Sequence, residues 1–185
     1  MTLAQWRPVL ARALHHNRAR AYCRYLQLAT INADGRPSNR TVVFRGFADD
    51  ALQMVTDGRS EKVQQIQTCP WCEACWYFTV TREQFRIAGQ LTLLGPNGID
   101  AKRLQTWQAL SANARQQFYW PHPGEARSGA AAFESVAPAN QPPDSFYVML
   151  LDANRVDHLA LRGSPQDRHV YEQTTAGWTV TAVNP

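Results

Sequence analysis

The chain of 185 residues is 44% hydrophobic and 18% charged, with a formal net charge of +4. That length suits one domain with its own core. The apolar fraction is too high for a disordered chain, and no apolar run reaches the roughly 18 residues of a membrane span.

The first eighteen residues, MTLAQWRPVLARALHHNR, lack the basic start, apolar middle and small-residue cleavage site of a secretory signal. A cytoplasmic location is therefore expected. Within them, Thr2 to His16 predicts an amphipathic helix with Thr2 and Gln5 at capping-box spacing and Trp6, Val9, Leu10 and Leu14 as its apolar stripe. From Tyr25 the period changes to that of short strands: YLQLATIN, a turn at Asp34-Gly35, RTVVFRGF, then ALQMVTD with Leu52, Met54 and Thr56 on one face. GRSEKVQQIQT predicts a short helix with Ser60 as its cap.

WYFTV and QFRIAGQLTLL are the next expected strands, the second interrupted by Gly89, where a bulge or sharp bend is expected. Asp100 to Trp120 reads as helix in two pieces broken near Ser111. Residues 121–143, with five prolines and two glycines, read as a loop or arm. FYVMLLD, RVDHLAL, HVYEQ and WTVTAV complete a strand-rich C-terminal part. The pattern predicts a single domain, 1–185, mainly β with flanking helices, built as a small antiparallel barrel.

Cys69, Cys72 and Cys75 form C-x2-C-x2-C, the start of a zinc or iron–sulfur pattern, but no fourth cysteine stands near them. Free thiols in a reducing compartment are the expected reading. His15 and His16 are adjacent on a helix and point to different faces, and no G-x-S-x-G, P-loop or G-x-G-x-x-G occurs.

Charge is the more informative signal. The nineteen basic residues include only two lysines, Lys62 and Lys102, so the positive charge is almost all arginine, whose planar fork suits carboxylates and phosphates. The arginines are scattered, without the run or aromatic-interleaved stripe of a nucleic-acid surface, so an RNA- or DNA-binding barrel is the weaker reading. One of them, Arg40, enters an apolar strand on the face of Val42 and Phe44, where burying an unpaired guanidinium costs several kcal/mol. One strand later Thr56, Arg59, Ser60 and Lys62 surround a helix start. Hydroxyls, cations and free backbone N–H groups there suit a phosphate. Equally, Arg40 could pair with an internal carboxylate while Arg59 and Lys62 stay solvated.

Four segments in register, RTVVFR, TDGRSEK, QFRIAGQ and the tail DRHVY…GWTVTAVNP, resemble the pyridoxamine 5'-phosphate oxidase family, the FMN-binding split barrels. The similarity runs from about Tyr25 to Pro185. The resemblance implies a six-stranded antiparallel barrel of Greek-key type, FMN as cofactor, and a homodimer with FMN at the subunit interface.

Carried over residue by residue, Arg40 and Lys62 would hold the FMN phosphate, with Thr56 and Ser60 donating to it. Backbone groups of Thr41, Val42 and Val43 would face the flavin. Gln84 would bond the ring edge, Arg168 would approach from the other subunit, and Arg45 would meet an anionic substrate. Glu61 stands where the family has an arginine, and Arg59 is expected to replace it. The family's substrate arginine and histidine are missing from Gly163-Ser164-Pro165-Gln166. The resemblance thus implies an FMN-dependent oxidoreductase with a different substrate, or a non-catalytic flavin-binding protein for storage or sensing.

Overall fold

Alternation of buried and exposed residues along most of the chain forces strands, and the strands form one sheet. The computed structural model describes residues 3–97, 101–134, 137 and 139–185. Among these, β1 (Tyr25–Ile31), β2 (Pro37–Val43), β3 (Gly46–Ala48), β4 (Ala51–Asp57), β5 (Trp71–Phe78), β6 (Glu83–Leu94), β7 (Phe146–Ala160), β8 (Asp167–Thr174) and β9 (Gly177–Val183) pair in an antiparallel sheet. The path β2-β1-β5-β6-β7-β4 holds the six strands of the expected barrel. β3 extends it past β4, and the β8–β9 ribbon is added along the second half of β7. The sheet curls until β2 and β4, far apart along this path, lie against each other. The barrel is therefore split between these two strands.

Inward side chains of the strands fill the barrel with Leu26, Leu28, Met54, Trp76, Phe85 and Met149, all fully buried. Helix α1 (Trp6–Asn17) packs on this core through Trp6, Leu10 and Ala13, with Trp6 meeting Trp178 edge-on at 6.0 Å. The expected capping box does not start this helix. Thr2 lies outside the described residues, and Gln5 makes no side-chain cap bond. Just ahead of it the Ala4 N–H donates to Asp50 Oδ2 at 3.0 Å, a contact from 46 residues away. A second apolar cluster, Trp107, Leu110, Phe118, Phe146 and Val148, forms under α3 (Ala101–Ala109) and α4 (Ala112–Gln116). These are the two expected helical pieces. Ser111 divides them, its side chain accepting from the Ala114 N–H at 3.3 Å as an N-cap.

Three local expectations are corrected. Ser60 precedes α2 (Glu61–Thr68) in extended conformation but makes no side-chain cap bond to it, because its hydroxyl donates back to the Asp57 carbonyl at 2.7 Å. β5 begins at Trp71 rather than Trp76, so strand alternation sends Cys72 to the buried face and Cys75 to the opposite one. Burial pushes the Cys72 thiol up to about 12, with Glu73 adding to the effect. FYVMLLD and RVDHLAL form the single strand β7, because Asn154 is absorbed opposite the register shift at Ala88/Gly89 and pairing continues on both sides.

Gly89 sits at that irregularity for a steric reason. A Cβ there would collide with the Asp152 carbonyl oxygen and lie 2.9 Å from Ala153 Cα, both backbone atoms of the neighbouring strand. Gly89→Ala is expected to lower stability by about 1–3 kcal/mol. The check is a shift of the urea midpoint at unchanged m-value; an unshifted midpoint would show that the strand yields freely.

Candidate functional site

The split between β2 and β4 opens into a cavity of about 500 Å3, lined by Arg40, Thr41, Val42, Val43 and Arg45 on one side and Val55, Thr56, Asp57 and Lys62 on the other. Its cover comes from residues 114–133, including Phe118, Trp120, His122, Arg127 and Phe133. The segment 121–143, expected to be a loop or arm, thus gives its first half to the wall of the cavity. It is held there by aromatic contacts: Trp120 meets Phe133 at 5.8 Å, and the Arg127 guanidinium lies 4.4 Å from the Phe133 centroid.

Four cations line the cavity, Arg40, Arg45, Lys62 and Arg127, and two of them, Arg40 and Lys62, are held by neutral oxygens. Arg40 Nη1 donates to the Leu28 carbonyl at 3.1 Å and the Thr30 hydroxyl at 2.6 Å, and Nη2 to Gln65 Oε1 at 3.0 Å. Lys62 Nζ donates to Thr56 Oγ1 at 2.8 Å and Ser60 Oγ at 3.1 Å. Neither forms an ion pair among the described residues. The internal carboxylate considered from the sequence is therefore not within ion-pair distance of Arg40. Burial lowers the pKa of both groups; Glu61 opposes the effect at Arg40, and at Lys62 the Arg40 charge deepens it against Asp57. Two positive groups placed side by side at this cost, with donors to spare, suit a dianionic oxygen ligand.

Of the two carboxylates that line the cavity, Asp57 and Glu125, Asp57 is already taken. It accepts from the Arg59 backbone N–H at 2.8 Å and from the guanidinium at 3.0 Å (Nε) and 2.7 Å (Nη2). Arg59 Nη2 also donates to the Trp120 carbonyl at 3.0 Å. The pairing raises the Arg59 pKa, chiefly through the Asp57 hydrogen bond. Arg59 is not among the lining residues and is committed to Asp57, so it does not stand beside Arg40 and Lys62 as expected. Its effect on the site is indirect: it compensates the Asp57 charge. Thr56 and Ser60 likewise serve the ammonium, whose protons their oxygens accept.

Gln84 and Arg168 lie elsewhere in the chain. Strand register aligns Tyr77, Gln84, Leu159 and Arg168 in one row across β5, β6, β7 and β8, outside the cavity lining. Arg168 is paired bidentately with Asp157, Nε to Oδ1 at 3.0 Å and Nη2 to Oδ2 at 2.8 Å, and holds that carboxyl below its usual range against the effect of burial. Sequence reasoning missed Thr30, Gln65 and the aromatic cover. Only the pairing of β1 with β2, which sets Leu28 opposite Arg40, and the docking of α2 bring the first two to the guanidinium.

A family model for the pyridoxamine 5'-phosphate oxidase, FMN-binding domain matches residues 3–95. Over 194 residues the chain is 37% identical to pyridoxine/pyridoxamine 5'-phosphate oxidase 2 of Arabidopsis thaliana, covering 99% of this chain and 98% of that one. It superposes at a TM-score of 0.96 and 49% identity, over 100% of both chains, on a pyridoxamine 5'-phosphate oxidase-related, FMN binding protein of Nostoc punctiforme. PhzG from Burkholderia lata, solved with tetrahydrophenazine-1-carboxylic acid, shares the fold at a TM-score of 0.82 and 22% identity, over 96% of this chain and 91% of that one.

Proposed function

The chain belongs to the pyridoxamine 5'-phosphate oxidase, FMN-binding family, and from that premise we propose that the cavity between β2 and β4 holds FMN and that the protein is an FMN-dependent oxidoreductase. The observation that carries this reading is the pair Arg40 and Lys62, two cations held only by neutral oxygens at one end of the cavity. A phosphate monoester supplies the charge and the acceptor oxygens that such a pair lacks. β2 is the last strand on its side of the sheet. An end strand has main-chain donors and acceptors that no neighbouring strand uses, so Thr41, Val42 and Val43 can offer backbone hydrogen bonds to a flavin ring.

Bound FMN would supply hydride and electron transfer, while the protein supplies its orientation and the surrounding charge. Arg45, which lines the same cavity, would meet an anionic substrate. That substrate differs from pyridoxamine 5'-phosphate in our reading. Gly163-Ser164-Pro165-Gln166 carries neither the arginine nor the histidine of the oxidase, and Arg162 donates to the Val80 carbonyl at 2.7 Å. We further propose a homodimer in which Gln84 and Arg168 of one chain complete the flavin site of the other. Their row on the sheet, apart from the Arg40–Lys62 pocket of their own chain, favours this arrangement.

The test is the visible spectrum of the purified protein after FMN addition and gel filtration. One flavin retained per chain, eluting at the size of a dimer, is expected. A colourless protein that takes up no FMN would overturn the flavin reading, and retention by a monomer would overturn the shared site.

A further inference from the structure

The segment that covers the cavity is pinned at both ends. Ser145 Oγ donates to the Phe118 carbonyl at 2.8 Å, the Ala139 N–H to the Tyr119 hydroxyl at 3.2 Å, and the Trp107 indole N–H to the Ala139 carbonyl at 3.0 Å. The chain thus leaves and rejoins the Trp107 cluster at adjoining points, as a surface Ω-loop does. Beyond these ends, among the described residues, the hydrogen bonds and ring contacts of residues 121–134 stay inside the segment. His122 Nδ1 lies 2.9 Å from the Pro123 carbonyl, the Ala132 and Glu134 N–H groups donate to Gly129 and Ala131, and Phe133 meets Trp120 and Arg127. Most of these residues are exposed.

Among the described residues, one hydrogen bond ties this flap to the strand side of the cavity: Arg59 Nη2 donates to the Trp120 carbonyl at 3.0 Å. Arg59 can hold that carbonyl because Asp57 fixes the guanidinium through Nε and Nη2, and Glu125 of the flap adds an attractive charge. Charges inside the cavity work the other way. Arg127 of the flap lines the same space as Arg40, Arg45 and Lys62, and like charges favour separation. We propose that residues 121–133 are a lid, that Arg59 is the clasp that holds it closed, and that its opening admits and releases the ligand of the cavity. Arg59 is a positioning residue in this device, since it does not line the cavity. That the ligand is FMN rests on the flavin reading above; the clasp does not.

Arg59→Lys tests it, because lysine keeps the charge beside Asp57 and lacks the fork that reaches two acceptors at once. The first measurement is limited trypsin digestion of the full flavin-free chain, with the cut after Arg127 followed by mass spectrometry. Cleavage there is expected to run about fivefold faster in the variant, since it tracks the population of the open lid. The second is stopped-flow quenching of FMN fluorescence. Association and dissociation rates are both expected to rise by about fivefold, with Kd within about twofold of the parent, because the clasp is lost alike from the empty and the filled closed states. A role confined to supporting the fold would not speed association. A cut after Arg127 at the parent's rate would overturn the clasp, and a faster cut with an unchanged association rate would overturn the lid. If the chain takes up no FMN, the flavin reading fails in its own titration, and the tryptic comparison still decides the clasp.

Discussion

Arg40→Ala is expected to weaken FMN binding by roughly 10²–10⁴-fold while the barrel stays folded. Each charge-assisted hydrogen bond from a guanidinium to a phosphate oxygen contributes about 1.5–3 kcal/mol, and a fork presents two of them. The cost to the fold is smaller. Thr30 Oγ1 already donates to Gln65 Oε1 at 2.6 Å, so two of the acceptors that Arg40 leaves behind remain engaged with each other. The Leu28 carbonyl is left with one fewer donor, at a cost of about 1 kcal/mol. Arg40→Lys, which keeps the charge and loses the fork, is expected to fall between the two. Quenching of FMN fluorescence reads the affinity, and thermal unfolding without flavin reads the fold. Stoichiometric flavin in Arg40→Ala would contradict the assignment of the phosphate to this residue.

Lys62→Met is expected to separate binding from stability. FMN affinity should fall by roughly 10–100-fold, since one charge-assisted contact is lost. The apoprotein should hold its stability or gain, because an unbranched apolar chain replaces an ammonium that the fold disfavours. Burial and the Arg40 charge hold the Lys62 pKa below the ordinary lysine value, so the folded chain releases this proton before the unfolded chain does. In the window between the lowered folded pKa and the unfolded value of about 10.4, the unfolded state binds more protons and stability from this group rises with pH. Lys62→Met should remove that rise. Urea midpoints measured from pH 7 upward without FMN check the slope. A variant that binds FMN as tightly as the parent would rule out Lys62 as a phosphate ligand.

Both predictions depend on residues whose chemistry was visible in the chain before any fold was considered. Arg40 stands out because a cation in the apolar run RTVVFR must find compensation, and Lys62 because one of only two lysines follows a turn that opens a helix. Gly89 stands out because it breaks a strand pattern otherwise rich in apolar residues. What the sequence could not show was which partner each cation takes. Arg59 and Lys62 sit three residues apart and look interchangeable, yet Arg59 closes a bidentate pair with Asp57 two residues before it, and Lys62 turns to Thr56 and Ser60. Local hydrogen-bond geometry decides between them, and a one-letter pattern does not encode it.

The sequence by itself determined the alternation of most strands, the break between α3 and α4 at Ser111, the family, and the pair Arg40 and Lys62 that we propose holds a phosphate. Those features depend on residues close in the chain, where side-chain size, charge and backbone preference act over a few positions. Tertiary structure alone decided that β2 and β4 meet at the split, that Thr30 and Gln65 hold the Arg40 guanidinium, and that residues 114–133 cover the cavity. It also set Gln84 and Arg168 in one row away from that cavity. Each of these is a contact between segments tens of residues apart, and such contacts follow from how far the sheet curls and in what order its strands pair.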